Sequence, residues 1–307
     1  MNTVNGAPES PRSPRVGRNI LGMPRRRRIR LGRWATPLGI AGAVVAVAWI
    51  LIAIFAPLVA PHDPLAQNLP ILQAPGEGTV MGTDALGRDV FSRLLYGARV
   101  TIPLSLLLVG MSVVVGVIIG AVSGFFGRWI DETLMRITDL VMAFPTVILA
   151  MVIAAALGAS LFNAVIAALV VSWPSYARLT RSLVLSLRSA NYVVSGQLLG
   201  FSPLTSLRRD VAPNIVGPVL VLASLDIGTA ILLLSGLSFL GLGAKPPTAE
   251  WGLMVSDAMQ NFDAWWLGVF PGLAILTIVI AFNLIGDAIR DVLDPTADTL
   301  RNGGATL

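Results

Sequence analysis

Long uncharged runs constrain this chain more than any other feature. From Pro37 to Ala60, 24 consecutive residues carry no charge, and 28 do so from Val100 to Gly127. A third run, Leu140 to Ala177, extends for 38 residues. A helix of 24 residues rises about 36 Å, more than the roughly 30 Å hydrocarbon core of a bilayer. The third run is too long for one crossing and suits two, turned at Gly158, Ala159, Ser160 and Asn163. Val211 to Ala244 is apolar apart from Asp226, and Ala264 to Gly286 completes the series. The pattern predicts an all-α membrane protein with six transmembrane helices, near 37–60, 100–126, 140–157, 162–177, 214–237 and 266–286. The first run is longer than the apolar stretch of a secretory signal.

Charge placement predicts the orientation. An even number of spans puts both termini on one side. Eighteen of the 22 basic residues then fall on the side of the termini, and only Arg88, Arg93, Arg99 and Lys245 fall on the other. The positive-inside rule makes the first side cytoplasmic. The net charge of +5 is thereby explained by topology and leaflet electrostatics, and no nucleic acid is required. Residues 1–33, rich in Arg, Pro and Ser, read as a disordered cytoplasmic tail, and 291–307 as a second tail. Residues 34–98 read as the first span plus an extracytoplasmic loop, and 99–290 as a five-helix core.

Composition removes most enzymatic readings. Charged residues are 13% of the chain and hydrophobic ones 55%, against about 25% charged in soluble domains. There is no cysteine and one histidine, His62, which reads as a solvated loop residue. That removes disulfides, thiolate nucleophiles and metal sites built on Cys or His. Lys245 is the single lysine and lies in Gly-Ala-Lys-Pro-Pro, so a phosphate-binding loop is not predicted. No catalytic residues, cofactor-binding residues or metal ligands are assigned. A transporter, a channel or a scaffold remains.

Three features add detail. Gly116, Gly120 and Gly124 recur every fourth residue and would let a neighbouring helix approach closely. Asp226 lies deep in the fifth predicted span, where a carboxylate is costly, so it either lines a polar path or serves a buried helix contact. Ser189 to Asn214 reads as a short helix, a turn at Gly200, a second short helix and a break at Pro213-Asn214. Such a pair suits docking of a cytosolic partner, and equally a solvated loop.

That last segment resembles the Glu-Ala-Ala loop of ABC importer permeases. The loop's Gly falls on Gly200 and its Pro-Asn on Pro213 and Asn214, while Val194, Ser195 and Gly196 replace Glu-Ala-Ala and Asp210 stands where the family often has His. Gly82 to Arg99 resembles the GTDxxGRDxxSRxxxGAR block of the second permease subunit of dipeptide, oligopeptide and nickel importers, on Gly82, Asp84, Gly87, Arg88 and Asp89. Leu237 to Gly252 is similar to that subunit's LSFLGLGxxPPxxEWG, ending on Glu250, Trp251 and Gly252, although Leu234 stands where the family has Glu. Phe270 to Ala274 and Gly286 to Pro295 match its C-terminal end, so that the resemblance covers about residues 34–296.

The resemblance implies a type I importer permease fold in the bacterial inner membrane. It implies a second homologous permease subunit as partner, cytosolic ATPases that bind the ATP and Mg, and an extracytoplasmic binding protein. Residues 190–214 would be the ATPase-coupling loop. Peptides are the first expectation for the solute, with nickel or another small solute as the alternative. The outer loops 61–98 and 241–265 hold seven acids against four bases when Arg99 is included, a weak preference for cationic or zwitterionic ligands. A stand-alone channel or carrier, or a membrane scaffold without transport, are the rival classes.

Overall fold

The computed structural model describes residues 37–76, 78–190, 205, 209 and 211–293. Their regular structure is helical: α1 (Pro37–Val59), α2 (Val90–Phe126), α3 (Arg128–Met142), α4 (Thr146–Leu157), α5 (Leu161–Arg188), α6 (Ala212–Phe239), α7 (Trp251–Ala258) and α8 (Trp266–Leu293). Among the described residues the only β pairing is two isolated bridges, Gly76 with Thr79 and Thr83 with Asp89.

Helices α1, α2, α6 and α8 are long and apolar enough to cross a membrane. Their outward surfaces carry Val44, Ile54, Val114, Ile118, Leu220 and Leu276, all exposed. A helix that is apolar on every side belongs in lipid or in a large core. A fifth candidate exists if α3 and α4 are taken as one broken span, bent by 91°. Here the structure departs from the predicted span at 140–157. That stretch holds the end of amphipathic α3, a break at Pro145, and α4. With 12 residues, α4 rises only about 18 Å and does not cross alone. At 28 residues α5 is about 42 Å long. From Ser172 onward it carries Ser172, Ser175, Arg178 and Arg181, and so falls below a typical span in apolarity.

Small residues set the packing. In α2, Gly116, Gly120 and Gly124 all lie against α5: an added Cβ would come 2.6 Å from the Trp173 carbonyl oxygen, against the Ala177 carbonyl oxygen, and 2.9 Å from Val184 Cβ respectively. Gly42 of α1 meets the Ala281 carbonyl oxygen of α8 in the same way, at 2.7 Å. Ala150, Ala154, Ala164, Ala167 and Ala168 form much of the α4–α5 contact and are fully or almost fully buried. Lipid tails are as apolar as Leu, so such contacts hold by close van der Waals approach rather than by hydrophobic exclusion.

At the end of α5 the chain is tied to α3 by charge. The Arg181 guanidinium donates to both Asp131 oxygens at 2.5 and 2.7 Å, and Ser123 Oγ donates to the same carboxylate at 2.5 Å. Arg178 donates to Asp139 at 2.7 Å, and Arg188 donates to the Gly124 carbonyl at 3.0 Å. These ties carry α5 past the predicted stop at 177.

Candidate functional site

Two polar regions stand out, one at the loop-rich end of the helices and one inside the bundle. The first gathers the motif residues. Asp84, 3% exposed, accepts from the Leu86 and Arg88 backbone amides at 2.9 and 3.0 Å and from Arg88 Nε at 2.6 Å. Arg93 Nε lies 3.5 Å from the same carboxylate. This turn needs glycine twice. Gly82 has φ +77 and Gly87 φ +71, a region that side chains other than glycine's rarely tolerate. A Cβ on Gly82 would also fall 2.6 Å from the Gln73 carbonyl oxygen. Asp89 caps α2 by accepting from Ser92 N at 2.8 Å, the role of an N-cap carboxylate.

From this turn the network reaches the second loop. The Arg93 side chain is almost completely buried and donates to the carbonyls of Pro64 and Pro247 at 3.3 Å each. Glu250 caps α7, accepting from Leu253 N at 2.9 Å, and also accepts from Thr101 Oγ1 at 3.3 Å and Ser235 Oγ at 3.4 Å. Trp251 donates to the Leu94 carbonyl at 3.0 Å, covers Gly97, and meets Trp49 edge-on with ring centroids 5.0 Å apart. Trp266 donates to the Thr83 carbonyl at 3.1 Å. Burial pushes the Glu250 carboxyl above the usual carboxylate range, against the amides of Gly252 and Leu253 and the hydroxyls of Ser238 and Thr101. Burial likewise raises Asp257, with Arg93 and Arg88 pulling the other way. Chemically this region is a clasp. Its charges are used on one another and on backbone groups, fixing both loops to the tops of α2 and α6.

Beside the clasp lies an open cavity of about 680 Å³ between the end of α1, the start of the first loop and α2. Tyr96, with Arg99 stacked 5.6 Å from its ring centroid, lines it together with His62 and Thr248. His62 is half-buried rather than solvated, with Nδ1 3.7 Å from Asp89.

The second region lies among α2, α4, α5 and α6, in a cavity of about 150 Å³. Asp226 reaches it from α6, Tyr176 and Ser175 from α5, Ser112 from α2 and Thr146 from α4. Tyr176 interacts with Asp226, although its hydroxyl meets no hydrogen-bond geometry. Asp226 makes no ion pair among the described residues.

Gly116, Gly120 and Gly124 of α2 and both loop motifs therefore sit at packed contacts. Of the predicted coupling residues, Pro213 and Asn214 lie in the first turn of α6, where proline's missing amide is harmless. Val194, Ser195, Gly196, Gly200 and Asp210 lie outside the described residues. Sequence reasoning read Arg93 only as a letter of the Gly82–Arg99 motif and as a basic charge, and did not single out Thr101 or Asp257, or the hydroxyls of Ser112 and Tyr176. For the hydroxyls the available signal was polar side chains recurring inside apolar runs.

Apolar helices packed through glycine and alanine, with loops clasped at one end and a carboxylate cavity within the bundle, define a multi-pass membrane protein of the transport class. The chain belongs to the family of binding-protein-dependent transport system inner membrane components, whose pattern matches residues 116–299. The pattern for the N-terminal TM domain of oligopeptide transport permease C matches residues 35–75. It is 42% identical over 261 residues, 84% of this chain and 86% of the relative, to the dipeptide transport system permease protein of Alkalihalophilus pseudofirmus. It is 43% identical over 265 residues, 85% and 89% of the two chains, to the probable D,D-dipeptide transport system permease protein of Escherichia coli. The nickel transport system permease protein of Escherichia coli is 41% identical over 265 residues, 86% and 95% of the two chains.

Proposed function

We propose that this chain is one of two permease subunits of an ATP-driven importer and forms half of a translocation path for dipeptides or oligopeptides. The observation that carries this reading is the 42% identity to a dipeptide permease over 84% of the chain. Its partners are a second homologous permease subunit, cytosolic ATPases that bind ATP and Mg, and an extracytoplasmic binding protein that delivers solute. Both termini are cytoplasmic, and the chain makes six passages, with α3–α4 as one broken passage and α5 as another. Residues 190–214 then connect α5 to α6 on the cytoplasmic side and dock on an ATPase. Closure of the ATPases around ATP would swing α5 and α6 between inward- and outward-facing arrangements. In this account the clasp holds the extracytoplasmic loops rigid for the binding protein, and the Asp226 cavity opens on the path.

Nickel is the second reading, favoured by the nickel permease among the relatives. Deleting the gene from its host and following uptake of a labelled dipeptide and of radioactive nickel separates the two. Loss of dipeptide uptake, restored by the intact gene, supports the peptide reading. Loss of nickel uptake alone replaces it, and no loss of either overturns both.

A further inference from the structure

The cavity among α2, α4, α5 and α6 holds more polar oxygen than a helix contact uses. Ser112 and Tyr176 both line it, and both are almost fully buried, 1% and 0% exposed. Ser112 Oγ has no hydrogen-bond partner among the described residues, and Tyr176 Oη has only the Asp226 carboxylate beside it, outside regular hydrogen-bond geometry. Buried hydroxyls are nearly always satisfied. The Asp226 carboxylate faces the same space, and no Arg, Lys or His is among the residues lining it. A carboxylate at membrane depth needs a positive partner or a proton.

Size and charge narrow the occupant. The cavity's 150 Å³ is well above the ~10–15 Å³ that admits one water. It is below the roughly 300–1,000 Å³ typical of sites that enclose a whole small molecule. Thr146, Ser175 and Thr229 line it and are exposed, so it opens on the surface of the chain. Carboxylate and hydroxyl oxygens form a hard donor set that favours alkali and alkaline-earth ions over soft metals. One carboxylate balances one positive charge, whereas a divalent ion would leave a net charge in a medium of low dielectric. A primary ammonium matches as well, since its three N–H donors have three oxygen types to meet.

We propose that this cavity binds one compact monovalent cationic group, a sodium ion or the primary ammonium of a solute, with Asp226 as counter-charge and the Ser112 and Tyr176 hydroxyls as oxygen donors. The inference stands on the cavity alone and does not require the peptide reading.

The test is equilibrium binding of radioactive sodium to the purified full-length chain in detergent, with methylammonium and glycylglycine as competitors. Saturable binding is expected, lost in Asp226→Asn and kept in Asp226→Glu. Ser112→Ala and Tyr176→Phe each weaken it about tenfold, the loss of one oxygen contact to the cation, similar in size to one charge-assisted hydrogen bond. Sodium binding that neither amine displaces identifies an inorganic ion. Displacement of sodium by methylammonium and glycylglycine, or saturable binding of labelled methylammonium alone, identifies a solute ammonium. Absence of saturable binding for both sodium and methylammonium overturns the proposal, as does unchanged binding in an Asp226→Asn variant that elutes as a single helical species. If Asp226→Asn does not fold, unchanged affinity in both hydroxyl variants overturns it. No ATPase or binding protein is present, so a chain that imports peptides yet binds neither cation removes this inference alone.

Discussion

Glu250 is held out of water by groups it also serves. Its carboxylate is the acceptor for the Leu253 amide, Thr101 Oγ1 and Ser235 Oγ, and burial raises it above the usual carboxylate range. A carboxyl that binds its proton more tightly folded than unfolded favours the folded state at low pH. That stability is fully present below the unfolded value and is lost as pH rises through the raised folded one. Asp257, raised by the same cause, adds a slope of the same sign. Glu250→Gln should therefore flatten the fall in thermal midpoint as pH rises above the usual carboxylate range, without abolishing it. Glu250→Ala should cost about 1–2 kcal/mol, because α7 loses its cap and two hydroxyls lose an acceptor. Thermal unfolding of the detergent-solubilised chain across that rise in pH checks both, and a steeper slope in Glu250→Gln would refute the assignment. The sequence marked Glu250 and Trp251 as a motif but gave no sign of what they touch. Trp251 meets Leu94, 157 positions away, and Arg93 meets Pro247, 154 away. No local periodicity encodes contacts at that separation.

Among the elements, the α2–α5 contact was the most legible and the α3–α4 bend the least. Three glycines at fourth-residue spacing point to a close helix approach because only a missing side chain allows it. The structure supplies the partner, α5, which spacing alone does not name. For Gly120, an added Cβ would meet the Ala177 carbonyl oxygen and lie 2.8 Å from Thr180 Cβ. These atoms belong to a backbone and a buried β-branched residue, so neither yields by rotating a flexible chain end. Gly120→Leu should lower stability by at least the ~1–3 kcal/mol of overpacking and reduce the monodisperse fraction in size-exclusion chromatography. A Cβ added at Gly110, in the same helix, would have nothing within 4 Å, so Gly110→Leu is the control and should keep or improve the yield. Equal behaviour of the two variants would mean that α2 and α5 are not in close contact. The bend escaped sequence reading because α4 is as apolar as a full crossing. What shortens it is Pro145 together with the amphipathic α3. That helix is anchored through Asp131 and Asp139 to Arg181 and Arg178, on a segment about 50 residues further along the chain.

For the whole molecule, the proposed orientation rests on a balance of charges rather than on any contact. Arginines cluster on the N-terminal segment and on the internal segments predicted to share its side, and a translocated loop rich in Arg or Lys is disfavoured. The acids have little weight in that rule, so the clasp, with Asp84, Asp89, Glu250 and Asp257, can lie on the opposite side. The absence of cysteine makes the orientation directly measurable, because any introduced thiol is the only one in the chain. Gln67 and Asp263 lie in the two clasped loops, Glu132 lies on α3, and all three are exposed. In intact spheroplasts, Gln67→Cys and Asp263→Cys should react with a membrane-impermeant maleimide, and Glu132→Cys should react only after permeabilisation. The reverse pattern would invert the topology and place the 190–214 segment away from any cytosolic ATPase. Labelling of all three from outside would mean that α2 returns without crossing, which its 37 residues, about 55 Å of helix, argue against. The bent α3–α4 pair makes Glu132 the informative position. Its side depends on α2 alone, so the result fixes the passage that precedes the bend before α4 and α5 enter the count.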